Sequence, residues 1–184
     1  IIFEDIKTNL CSYFRSYNIE NLKTNKGNTQ FIERNYIKII KDLLISKNYK
    51  FVEAGSQQPY DFRITLDDDE IMLLEIKKTD SMTVYFNDTC PTDDVYYIIL
   101  HTGKKFKTKE DIKPCIFGVK GKEFIELDKD WLHEYKEELK KLKIKFKGLG
   151  EIIDVYPRPT FKAKIKFLFD KYYEDSIIEF NQPT

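Results

Sequence analysis

Apolar residues recur at helical spacing near the start of the chain. Phe3, Ile6, Leu10 and Phe14 share one side of a helix expected over residues 3–17. The polar, glycine-containing stretch 21–28 reads as a loop leading into a second helix over 29–47, where Glu33, Ile37, Ile40 and Leu44 form a stripe. Residues 51–53 suit a short strand. Over 60–66 the alternation is strict, with Tyr60, Phe62, Ile64 and Leu66 on one face and Asp61, Arg63 and Thr65 on the other. Residues 71–77 are apolar on both faces until Glu75, as in a central strand, and the acidic turn 67–70 joins the two runs as a hairpin. Further strands are expected over 82–86, 95–101 and 115–119, with a polar loop at 87–94. Residues 129–143 have a helical pattern around Leu132, Tyr135, Leu139 and Leu142. A strand over 152–156 leads into Pro157, Arg158 and Pro159, while 162–170 fits strand and helix equally. The order of elements predicts a mixed α/β or α+β fold, a sheet flanked by helices.

Composition narrows the class. At 184 residues the chain fits one domain over 1–184 with a real core, and 41% apolar residues argue against disorder. Cys11, Cys90 and Cys115 are widely spaced and form no CxxC pair. With only His101 and His133 to assist them, a structural zinc site is not expected. No apolar run approaches the roughly 20 residues that span a bilayer, and no signal-peptide pattern opens the chain. A reduced, cytoplasmic setting without a membrane partner is the expectation. Net charge is zero, but its distribution is uneven: residues 53–94 have a balance of −8 and residues 104–171 one of +7. An acidic centre beside a basic arm suits a protein that holds metal ions and binds phosphates. It equally suits a solvated, lysine-rich surface.

Candidate chemistry lies in the central hairpin. Asp61 opens one strand, Glu75 lies in the next, and Lys77 shares a face with Glu75 between apolar neighbours. Charged side chains are seldom buried unless paired or ligating metal. Hard oxygen donors of this kind suit Mg²⁺, and phosphodiester hydrolysis needs a metal to polarise the phosphoryl oxygen and an ammonium to orient water. The plainer reading is a strand-edge salt bridge. A second ExK, Glu134-Tyr135-Lys136, falls in a helical pattern where i and i+2 face apart.

Pro59-Tyr60-Asp61 followed by Glu75-Ile76-Lys77 resembles the PD-(D/E)XK nuclease signature, most of all that of type II restriction endonucleases. The likeness extends over roughly residues 27–102. Tyr60 interrupts the Pro-Asp dipeptide, which weakens the motif as a search string. The resemblance implies a restriction-endonuclease-like core over about 27–120, with 121–184 contacting DNA or dimerising. It implies Asp61, Glu75 and the Ile76 carbonyl as ligands of Mg²⁺, with Mn²⁺ able to substitute. Lys77 would act on the attacking water, and Glu33 would stand near the metal; otherwise Glu33 is a helix-start carboxylate favoured by the macrodipole. The partner implied is double-stranded DNA, cut by a homodimer to leave 5′-phosphate ends. Rival readings are a Holliday-junction resolvase or repair nuclease of the same fold, and a non-catalytic DNA-binding module. An intact Lys77 argues against the last.

Residues able to read or hold DNA follow the hairpin. Lys78, Thr79, Asp80 and Ser81, then Asn87, Asp88 and Thr89, are dense in hydrogen-bonding groups that suit base edges, and equally suit turns. Lys104, Lys105 and Lys107 form a basic run for phosphates or a solvated loop, and Arg158 is held rigid between two prolines. One geometric condition governs the whole reading. A turn centred on Asp68 and Asp69 would set Asp61 opposite Ile76 and turn it away from Glu75. A shared site therefore requires an odd-length turn or a β-bulge.

Overall fold

The computed structural model describes residues 2–15, 29–55, 58–66, 69–87, 90–107, 110–124, 130–147 and 159–178, with only the backbone of 2 and 29–33. Two helices, α1 (Ile2–Arg15) and α2 (Thr29–Ser46), precede the strands β1 (Lys50–Glu53), β2 (Phe62–Thr65), β3 (Ile71–Thr79), β4 (Thr83–Asn87), β5 (Val95–His101) and β6 (Cys115–Lys120). A short 3-10 turn follows, then α3 (Asp130–Phe146), β7 (Thr160–Lys164) and α4 (Lys166–Ser176).

Five strands form a mixed sheet in the order β1-β2-β3-β5-β6. All neighbours are antiparallel except β3 and β5, which run parallel. Parallel neighbours need a crossover connection, and here that connection carries β4. This strand leaves the main sheet and pairs with β7 in a separate two-stranded sheet. The expected strands 82–86, 95–101 and 115–119 are therefore present, but not in one sheet.

Alternation along β3 divides the core. Met72, Leu74 and Ile76 pack with Ile6, Leu10 and Phe14 of α1 and Tyr36, Ile40 and Leu44 of α2. Leu73 faces a second cluster, in which Val84 and Phe86 of β4 meet Tyr97 and Ile99 of β5, Phe117 and Leu168. Gly118 lets α1 approach the sheet: a Cβ there would sit 2.7 Å from the Phe3 ring. The α2 stripe is rotated slightly from expectation, with Tyr36, Ile39 and Leu43 buried and Ile37 at its edge.

The ambiguous stretch 162–170 holds both structures. Strand β7 ends at Lys164, buried Ile165 turns the chain, and α4 begins at Lys166. Helix α3 occupies its expected place without burying a single residue. The strand expected over 152–156 lies outside the described residues. Among the described residues, no helix is long and apolar enough to cross a membrane.

Candidate active site

The β2–β3 hairpin has an odd-length turn, and a bulge at Asp61 offsets the register by one residue more. Leu66 donates its N–H to the Glu70 carbonyl (2.8 Å), Asp69 donates back to Leu66 (3.1 Å), and Asp69 takes a left-handed φ of 59°. Three residues separate Leu66 from Glu70, and a three-residue hairpin loop ends in such a left-handed residue. The ladder consequently ends with Phe62 paired to Leu74. Asp61 also donates its N–H to the Leu74 carbonyl (2.9 Å), so two residues of one strand address one of the other, as at a bulge.

Where β2 begins, the Asp61 side chain stands in for backbone. Its Oδ2 accepts the Ile76 N–H at 2.8 Å. A strand residue's N–H and C=O point to the same side, so the Ile76 carbonyl is also directed past the end of β2 toward Asp61. On the face of β3 turned to the second cluster, Glu75 and Lys77 form an ion pair. Their side chains are only 14% and 21% exposed, and an ion pair this sheltered keeps more of its strength than one in open solvent.

Aromatic side chains wall this pair. The Lys77 ammonium lies 5.4 Å from the centre of the Phe86 ring, a cation–π distance. Tyr97 stands beside Glu75 in the parallel ladder and packs edge-on against Phe86 with ring centres 5.4 Å apart. Its hydroxyl accepts the Thr92 N–H (3.0 Å). Burial pushes the Tyr97 hydroxyl up to about 12, with the Glu75 and Cys90 charges adding to the effect, so it stays protonated. Neither Phe86 nor Tyr97 was marked by sequence pattern, since a buried aromatic in a strand looks alike whether or not it borders a charged group.

The remaining candidates divide between two ends of the fold. Lys78 and Thr79 belong to β3 itself rather than to a loop. The Thr79 hydroxyl donates to the Thr83 carbonyl (2.7 Å) and accepts the Ser81 N–H (3.0 Å), so Thr79 and Ser81 shape the tight connection into β4. Burial lowers the Lys78 pKa, against the opposing charge of exposed Asp80. Lys104, Lys105 and Lys107 are exposed on the loop after β5, at this same end, where Thr102 donates to the Thr79 carbonyl (3.0 Å). His101 is buried there with Nδ1 accepting the Gly103 N–H (3.1 Å), and burial pushes it down to about 4. Asn87 lies elsewhere, exposed at the end of β4 opposite Thr160. Asp88, Thr89, Arg158 and the Glu33 side chain fall outside the described residues.

Two further basic residues share Asn87's strand pair. Lys162 and Lys164 project from β7 across from Tyr85 and Thr83. The alternation of Phe161 and Ala163 with these lysines was visible, but the helix that follows obscured it.

The donor set fits a hard cation in a limited sense. Magnesium takes one or two carboxylates and fills its shell with water and phosphate. Asp61, Glu75 and the Ile76 carbonyl supply that much. Among the described residues, no group of three or more His, Cys, Asp or Glu side chains is placed to hold a metal. The three cysteines are thiols, and burial raises Cys115 to about 12. Comparison with protein-family models, curated proteins and solved structures finds no match to this chain.

Proposed function

We propose that this chain is a magnesium-dependent endonuclease that hydrolyses phosphodiester bonds in double-stranded DNA, with Asp61, Glu75 and Lys77 as its reacting groups. The observation that carries the reading is the Asp61 carboxylate on the Ile76 N–H at 2.8 Å, the backbone group that lies between Glu75 and Lys77. An ion pair keeps Lys77 beside Glu75. A strand-edge salt bridge explains Glu75 and Lys77, but not a third charged group bonded to the residue between them. The PD-(D/E)XK core, a homodimer and cutting at a defined sequence belong to the same proposal, with the type II restriction endonucleases as the nearest functional analogy.

Magnesium, when bound, polarises the phosphoryl oxygen and acidifies water. Asp61 and Glu75 would hold it, with the Ile76 carbonyl as a further oxygen donor. Lys77, steadied by Glu75 and the Phe86 ring, orients the water and offsets charge developing on the phosphoryl oxygens. Water oxygen bonds to phosphorus, the bond to the 3′ oxygen breaks, and that oxygen keeps the electron pair and takes a proton. The products are a 5′-phosphate and a 3′-hydroxyl.

The test is digestion of a sequenced plasmid with Mg²⁺ or Mn²⁺, with the ends mapped and Lys77→Ala run alongside. Discrete fragments with 5′-phosphates, lost in the variant, are expected. DNA left intact by the wild type, or cut equally by the variant, removes the reading.

A further inference from the structure

Behind Phe86 lies a cleft of about 400 Å³ that the hydrolytic reading does not use. Its walls include Phe86, Phe124, Trp131 and Phe161, and Lys162 and Lys164 border it on β7, where alternation turns their side chains to the exposed face at its rim. Phe86 and Phe124 meet edge to face at 5.6 Å, while Trp131 and Phe161 stand 6.4 Å apart and tilted. Trp131 is 44% exposed, so a large aromatic surface remains open to water at the cleft.

Aromatic walls with lysines beside them suit a ligand that is flat, apolar on its faces and attached to negative charge. A purely apolar occupant would use the rings and leave the lysines without a role. A nucleotide uses both: its base stacks on aromatic side chains and its phosphates meet the cations. Position strengthens the case. Phe86 is shared, with the cleft against its ring and the Lys77 ammonium 5.4 Å from its centre. Tyr97 packs edge-on against both Phe86 and Phe124 and stands beside Glu75. Phe86 is therefore common to the cleft and to the surroundings of the charged pair.

We propose that this cleft is a subsite for an unpaired nucleobase, so that the site acts on a nucleotide lying outside a base-paired stack. The identity of the ligand rests on the nuclease reading. Such a base comes from a single strand or from a duplex that has turned one base out, and turning out a base already unpaired costs least.

Trp131 is the chain's sole tryptophan, so intrinsic fluorescence reports on this cleft. The experiment titrates the protein, in EDTA, with three probes of equal phosphate count. These are an oligothymidylate strand, a fully paired hairpin duplex, and that duplex with one unpaired nucleotide. Trp131 quenching by the strand, the bulged duplex or both, and not by the paired duplex, is expected; which of them quenches identifies the source of the base. Anisotropy of the same labelled probes should show Trp131→Ala weakening the unpaired probes about 10-fold and leaving the paired duplex unchanged. Lys162→Ala with Lys164→Ala should weaken them too and flatten the salt dependence. Both lysines are exposed, so these variants spare the core. Equal quenching by all three probes, or by none, overturns the subsite. Digestion of the sequenced plasmid in Mg²⁺ separates the two claims. Quenching by the unpaired probes with the plasmid left intact keeps the subsite and removes hydrolysis, while plasmid cutting without quenching by any probe does the reverse.

Discussion

The Asp61 carboxylate accepts the Ile76 N–H at 2.8 Å, so the side chain proposed to hold metal also closes the backbone ladder where β2 begins. The two roles separate by substitution. Asp61→Asn keeps an oxygen for the N–H and loses the charge. Asp61→Ala loses both, and should cost about 1–2 kcal/mol in urea unfolding for a charge-assisted bond that is partly buried. Cleavage should vanish in both variants, with stability falling mainly in the alanine. Equal stability of the two would show that the hydrogen bond contributes nothing to the hairpin.

Lys77→Ala should slow cleavage by orders of magnitude while leaving gel-shift affinity for DNA near that of wild type, because an interaction made in the transition state affects rate more than binding. Ca²⁺ should support binding without efficient cutting, since its larger, looser shell places water poorly. A parallel fall in affinity and rate would make Lys77 a phosphate contact instead.

Asp69 holds a left-handed φ of 59°, a conformation that costs a residue with a Cβ and not glycine. Asp69→Gly should stabilise the fold by up to about 1 kcal/mol, or a rise of roughly 2–4 °C in Tm, with cleavage unchanged. Removing one residue from this loop should instead shift the register and abolish activity. Thermal melts and plasmid digestion of the two variants check both outcomes.

His101 is 1% exposed and has its pKa pushed from 6.5 down to about 4 by burial, which outweighs the opposing pull of Asp80. A depressed histidine binds its proton more readily when unfolded, so it destabilises the fold as pH drops. Its contribution is intact above pH 6.5, falls between 6.5 and about 4, and reaches on the order of 3 kcal/mol of lost stability. His101→Asn keeps an acceptor for the Gly103 N–H and removes the titration. Urea unfolding of both proteins at pH 7 and pH 4.5 should show a distinctly smaller loss in the variant.

Neutralising Lys104, Lys105 and Lys107 should weaken binding to all DNA sequences alike and lower the salt slope by about 0.9 for each phosphate contact removed. Asn87→Ala should change sequence preference, costing about 1–3 kcal/mol if the amide pairs with a base. Salt-dependent anisotropy on specific and random duplexes distinguishes the two. The reverse pattern would exchange their assignments.

The central hairpin was legible because its signals are local. Strict alternation over 60–66 and an apolar run broken by Glu75 identify both strands, and the need for an odd turn follows from counting residues. Long-range packing was less accessible. Nothing near Val84 or Phe86 says that this strand pairs with one beginning at Thr160 instead of joining the main sheet. The cleft depends on that distant pairing, because Phe86 and Phe161 meet only across it. Over 162–170, two elements meet at Ile165 with no glycine or proline to mark the boundary, so both periodicities overlap.

Strand β3 is flanked on both sides and buried at alternate positions, while α3 buries none of its residues. The two should exchange amide protons with deuterium on different clocks. Amides around Glu75 and Lys77 should open only with the whole molecule, and those of α3 by local fraying far below that threshold. Heating should therefore dull the tryptophan wall of the cleft before it disturbs the carboxylates, and discrimination among DNA structures should fade while the capacity for hydrolysis persists.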